Sequence, residues 1–296
     1  MRTYWFICGL ILLLAAGALA SRLHWGDALQ SADTSYTSRY AENLSAGCAQ
    51  GSRPAVSDAS PNRTAHRTPG GVPYRVITPR NYDARYAHPL LLVHAPAGIG
   101  MGLSEHFAGL TREATAAGFV IVYVSSIRLN PAAVTELATV PAAVAARWCI
   151  DPARIYAAGH SDGGTVAQAL AILSEHQGTI RAIVASGAGW RAGDFAAQAC
   201  PAPMPVLILH GADDSHFPHY GRDAARWWSA CNRCANEAPE DTVGMQADGC
   251  HHYTGCAAET VYCEPEFSHW RWAGEPQQII SFLARHAGIF QPDTSQ

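Results

Sequence analysis

Residues 154–170 read RIYAAGHSDGGTVAQAL. An apolar, β-branched run leads into Gly-His-Ser-Asp-Gly-Gly, and a small-residue helical pattern follows. This is strand, tight turn and helix, with Gly159-His160-Ser161-Asp162-Gly163 forming G-x-S-x-G at the turn. A serine at the tip of so sharp a turn adopts a strained backbone conformation. The residues two places either side must lack bulk, because strand and helix nearly collide there. Such a turn presents Oγ at the mouth of a sheet, beside the positive end of a helix. Ser161 is therefore the candidate nucleophile.

Outward from this stretch the chain alternates. Strands are expected at 73–78, 89–94, 119–125, 154–158, 179–186, 205–210 and 259–263. Helices are expected at 104–117, at 132–148 (kinked or split at Pro141), at 221–230 and at 276–286. The run FVIVYVS at 119–125 is continuously apolar, as in a strand buried on both faces. Strands alternating with helices imply an α/β fold, a mostly parallel central sheet with helices on both faces. Residues 231–256 interrupt the pattern as a polar, Cys-rich excursion.

A serine hydroxyl needs a base to take its proton, and the base needs an acid to fix its tautomer. In sheets of this kind these groups lie in loops past the carboxyl ends of strands, in the order Ser, acid, His. The 205–210 strand runs into Gly211-Ala212-Asp213-Asp214, and the 259–263 strand into Glu264-Pro265-Glu266-Phe267-Ser268-His269. Spacing alone does not separate Asp213 from Asp214. His269 is the one His between the last strand and the last helix, whereas His251 and His252 lie in the Cys-rich excursion, where solvated histidines are expected. His210 is expected to shape the acid loop. His160, Trp190 and Trp270 are candidates to line a substrate pocket, each with core or surface packing as its alternative. For the oxyanion, one donor is expected to be the Asp162 N–H. The second belongs to the loop His94-Ala95-Pro96-Ala97-Gly98. Pro96 has no N–H, which leaves Ala97 first, then Ala95 or Gly98.

At 296 residues, 48% hydrophobic and 15% charged, the chain can bury a sizeable core. A net charge of −4 without charge blocks gives no reason to expect nucleic acid. All 20 basic residues are Arg, read as codon bias of a GC-rich, bacterial genome. Residues 1–20 carry Arg2, an apolar run and a small-x-small site before Ser21, as in a cleaved export signal or, failing cleavage, an anchor. Periplasmic or extracellular location follows, with membrane attachment only if the segment stays uncut. Residues 21–71 read as linker and 72–290 as one catalytic domain, expected to be a monomer. Losing Cys8 leaves an even eight of the nine cysteines, which in an exported chain argues for disulfides. Zinc is the competing reading of Cys231-x-x-Cys234 with Cys250, His251, His252 and Cys256, but Cys250 to Cys256 is too wide for a ribbon's second pair.

With these residues in place, the chain resembles the α/β-hydrolase superfamily. Within it, the chain is similar to secreted polyhydroxybutyrate depolymerase/feruloyl esterase-like esterases. The likeness covers about 48–286. It rests on YRVITPRNYD before the first buried strand, IDPARIYAAGHSDGGTVAQALA around Ser161, LHGADDSHFPHYGR at the acid loop, and the Cys-rich run ahead of His269-Trp270. It implies the α/β-hydrolase fold and a serine carboxylic-ester hydrolase with no cofactor and no metal, acting on short-chain, aromatic or hydroxyalkanoate esters. It aligns the acid with Asp214 and implies an excursion closed on itself by disulfides around Cys231–Cys263. Cys149 and Cys200, flanking central strands, are a further candidate pair. Two departures stand out: Ala95-Pro96 where the family has Gly and a donor residue, and Trp270-Arg271-Trp272-Ala273 where it often has Trp-Pro-Gly. With no substrate-binding module in view, a soluble ester is expected rather than a solid polymer. The alternatives are a serine peptidase of related fold or a non-catalytic binding protein.

Overall fold

The computed structural model describes residues 62–173, 175–235, 249–272 and 274–288. The segment 1–20 and all of 21–61 lie outside the described residues. Among the described residues one nine-stranded sheet runs in the order β1-β2-β4-β3-β5-β6-β7-β9-β8. Its strands are β1 (Arg63–Arg67), β2 (Pro73–Ile77), β3 (His88–His94), β4 (Val120–Val124), β5 (Ile150–His160), β6 (Ala182–Ser186), β7 (Val206–Leu209), β8 (Cys250–His252) and β9 (Thr260–Cys263). From β4 across to β9 every pairing is parallel. The two edges are antiparallel, β1 and β2 on one side and β8 on the other.

Side chains alternate across the strands, so one strand feeds two cores. Leu90, Leu92, Val120, Val122, Val206 and Ile208 pack on one face. Leu91, Val93, Ile121, Tyr123, Leu207 and Leu209 pack on the other. That two-sided burial is why these strands read as unbroken apolar runs.

Eight helices lie among the described residues: α1 (Met101–Ala108), α2 (Thr111–Ala116), α3 (Pro131–Leu137), α4 (Val140–Ala145), α5 (Asp162–Ile172), α6 (Ala192–Ala196), α7 (Tyr220–Cys231) and α8 (Pro276–His286). The single helix expected at 104–117 is two. Gly109 at φ 65° ends α1 in a left-handed cap, its N–H donating to the Glu105 carbonyl. The helix at 132–148 is likewise split, with Pro141 in the first turn of α4. Asn130 caps α3 by accepting from the Ala133 N–H at 3.0 Å. Two strands had no sequence signal. β1 falls inside the 21–71 stretch read as linker, and β8 inside the Cys-rich excursion.

Three disulfides join described residues: Cys200–Cys231, Cys234–Cys256 and Cys250–Cys263. The excursion is thus only partly closed on itself, since Cys231 reaches out to Cys200 ahead of β7. Cys149 is disulfide-bonded too, but not to Cys200. Zinc is overturned at this run, whose cysteines are spent in covalent pairs. Among the described residues no three His, Cys, Asp or Glu side chains are grouped to hold a metal ion, and no helix is long and apolar enough to cross a membrane.

Candidate active site

The turn between β5 and α5 is built from backbone contacts. Ser161 sits at φ 55°, ψ −122°, a conformation that costs a non-glycine residue about 1–3 kcal/mol. It is pinned on both sides: its N–H donates to the Ser186 carbonyl at 2.9 Å, and its carbonyl accepts from the Thr165 N–H at 2.9 Å. A Cβ at Gly159 would overlap the backbone of Gly163, one at Gly163 would overlap the His94 carbonyl, and one at Gly164 would come within 2.8 Å of the Ser186 carbonyl. The glycines that define the motif are therefore required by contact.

Ser161, Asp214 and His269 come together. His269 Nε2 lies 2.9 Å from Ser161 Oγ, and Nδ1 lies 2.8 Å from Asp214 Oδ2. Asp214 Oδ1 accepts from the backbone N–H groups of His216 and Phe217, each at 2.9 Å. Burial alone would push the Asp214 carboxyl up. The hydrogen bonds from His269 and Phe217, with nearby His210, outweigh it and hold the carboxyl below its ordinary value. Asp213, the other carboxylate left open in the sequence, is exposed, and it is Asp214 that accepts the hydrogen bond from His269 Nδ1. His210 supports the acid loop, its Nε2 donating to the Phe217 carbonyl at 2.9 Å. His251 and His252 stand on β8 at the far edge of the sheet.

The three pocket candidates separate. Trp190 packs: its indole N–H donates to the Thr165 carbonyl at 3.0 Å and its ring lies against Phe195. His160 is 3% exposed and lies behind His269 instead of in a pocket, because both its ring nitrogens are bonded inward. Burial pushes its pKa down to about 4. Trp270 is 81% exposed, its ring edge-on to His269 at 5.9 Å between centroids, so it stands at the rim. One neighbour escaped the sequence reading: the exposed His216 stacks on His269 at 4.7 Å. Its position two residues past the acid was the only available signal.

Ala95 is not free to serve the oxyanion, since its N–H donates to the Val124 carbonyl at 3.1 Å. Residues 96–99 form a tight turn closed by the Ile99 N–H on the Pro96 carbonyl at 3.1 Å, with Gly98 at φ 71°. Ala97 and Gly98 are the two central residues of this turn. Among the described residues neither donates to another backbone carbonyl, and nor does Asp162. Between Asp162 and Ala95 lies a small cavity of about 10 Å³, lined also by His94, Ser125, Ser126 and Val166. Both ring nitrogens of His94 are buried without a hydrogen-bond partner, and burial pushes its pKa down to about 4.

No protein-family model matches the sequence, and no curated protein is significantly similar to it. Solved structures do match in fold. A protein described as a dipeptidyl aminopeptidase IV from Bacteroides ovatus superposes with a TM-score of 0.53 at 15% identity over 77% of this chain, which spans only 35% of that longer protein. An S-formylglutathione hydrolase from Agrobacterium tumefaciens gives 0.50 at 16% identity, covering 76% of this chain and 92% of its own. A truncated carbohydrate esterase from gut microbiota gives 0.51 at 12% identity, covering 73% and 90%.

Proposed function

We propose that this chain, whose fold is that of the α/β-hydrolases, is an exported serine carboxylic-ester hydrolase. The observation that carries the reading is the hydrogen-bonded line from Asp214 through His269 to a serine in a strained turn. His269 Nε2 takes the Ser161 proton as Oγ attacks the ester carbonyl. Charge then develops on the carbonyl oxygen, where the N–H groups of Asp162 and Ala97 would stabilise it. Removing one such donor typically costs about 3–4 kcal/mol. The imidazolium, held in its tautomer by Asp214, returns the proton to the departing alcohol and the acyl group stays on Ser161. Water deprotonated by His269 releases the acid. No metal or organic cofactor enters these steps.

Ester neighbours on this fold and the three disulfides, which suit an oxidising compartment, support the reading. Acyl groups to be compared are short-chain, aromatic feruloyl-type and hydroxyalkanoate. The test is a fluorophosphonate titration of the secreted protein alongside turnover of that panel and of matched amides. Stoichiometric labelling of Ser161 with ester but not amide hydrolysis is expected. Amide cleavage would favour a peptidase, and absence of both labelling and turnover would favour a binding protein.

A further inference from the structure

His160 precedes the serine, yet its hydrogen bonds serve another part of the site. Its Nε2 lies 2.7 Å from the backbone carbonyl of His269, 109 residues away, and its Nδ1 lies 2.9 Å from Ser186 Oγ. A carbonyl oxygen only accepts, so Nε2 must carry the ring proton, and Nδ1 then accepts from the Ser186 hydroxyl. The tautomer is fixed by its partners. The depressed pKa keeps the ring neutral over the range in which an esterase works.

The bond has no substitute. Among the described residues no backbone N–H reaches the His269 carbonyl, in a loop that is neither helix nor strand. Asp214 fixes the ring of His269, and backbone bonds hold the loop on either side, with Asp213 N–H on the Phe267 carbonyl at 3.2 Å and Arg271 N–H on the Ser268 carbonyl at 3.3 Å. None of these holds the His269 carbonyl itself. The His160 ring itself cannot drift. Phe107 of α1 and Trp272 flank it at 5.4 and 5.9 Å between centroids. On a third side Gly187, at φ 49°, is so close that a Cβ would lie 3.0 Å from His160 Cε1 and 3.4 Å from His269 Nδ1.

We propose that His160 is a positioning residue, which holds the His269 carbonyl so that the imidazole stays aligned between Ser161 and Asp214. The proposal rests on the assignment of those three residues above.

The test compares His160→Phe, which keeps a flat ring and loses both hydrogen bonds, with His160→Gln, whose amide N–H2 reaches the Nε2 position. A displacement of about 1 Å at a reacting group can cost roughly 100-fold. We expect kcat to fall about 10- to 100-fold in His160→Phe, with KM within about twofold of the parent, and His160→Gln to recover most of the loss. A merely structural role would lower the melting temperature of both and leave kcat alone. If His160→Phe does not fold, His160→Asn takes its place, since its shorter amide mimics Nδ1 and cannot reach the carbonyl. The downfield proton NMR signal of His269 Nδ1–H supplies a readout independent of turnover: present in the parent and His160→Gln, lost or broadened in His160→Phe. Parental kcat and an unchanged signal in His160→Phe or His160→Asn would overturn the proposal. A parent that neither turns over esters nor takes phosphonate would instead sink the esterase reading, and the proton signal would still decide the positioning role.

Discussion

Gly211 and Phe267 stand backbone to backbone, so close that a Cβ on Gly211 would overlap the Phe267 carbonyl. The contact is one tooth of a zipper. His210 donates to the Cys263 carbonyl at 2.9 Å, Ala212 to Pro265 at 2.8 Å, and Asp213 to Phe267 at 3.2 Å. The acid loop and the histidine loop are thereby fixed to each other before any side chain is considered. In Gly211→Ala the obstruction is backbone, so the loops must part. Activity should fall by about two orders of magnitude, as expected for misplaced reacting groups, with a lower melting temperature. Steady-state kinetics with parental values would show that the contact relaxes without consequence.

Asp214→Asn should lower kcat by about 10⁴-fold, because an amide supports the wrong His269 tautomer. Asp213→Asn should leave kcat within about twofold. Measuring both on one ester decides which neighbouring carboxylate holds the base, and a large loss in Asp213→Asn alone would reverse the assignment.

The melting temperature should fall as pH drops from about 6.5 toward 4. Burial pushes His88, His94 and His160 each down to about 4, below the 6.5 of an unfolded chain. On acidification the unfolded chain takes up protons first. The stability these neutral rings allow is complete above 6.5 and is lost as pH approaches 4, each ring contributing roughly 1 kcal/mol per pH unit. Calorimetric melts in a constant-ionic-strength series check this; a flat profile between 7 and 4.5 would contradict it.

Removing the Cys250–Cys263 bridge with a double Cys→Ala change should cost about 3 kcal/mol on loop-closure arguments. The bridge fastens β8 to the last residue of β9, six residues before His269. Chemical denaturation gives the energy. Equal stability with and without the bridge would mean that the β8–β9 hydrogen bonds hold that edge unaided.

What the sequence disclosed tracks how local each cause is. The Ser161 turn was legible because its glycines, serine and flanking periodicities lie within a dozen residues and follow from one steric problem. The order Ser161, Asp214, His269 was legible because loops after parallel strands share one end of the sheet. The choice between Asp213 and Asp214 needed the His216 and Phe217 N–H groups that clasp one Asp214 oxygen. β1, with the sequence RTAHR and alternate residues only half covered, has no apolar signature to announce it. Pairing of Cys200 with Cys231, and of His160 with the His269 carbonyl, depends on tertiary contacts 31 and 109 residues apart. The loss of Ala95 as an oxyanion donor follows from a strand-edge hydrogen bond to Val124, which no residue type reveals.

The crowding at Gly159, Gly163 and Gly164 has a consequence for genetics. Each glycine is blocked chiefly by main chain: Gly163, His94 and Ser186 respectively. A clash with a side chain can be relieved by trimming that side chain elsewhere in the gene, but every residue type carries the same carbonyl. Saturation mutagenesis should therefore find these three codons intolerant, and a hunt for second-site suppressors of Gly163→Ala should return only reversion at the codon itself. A serine turn built this way leaves few routes for gradual repair once it is damaged.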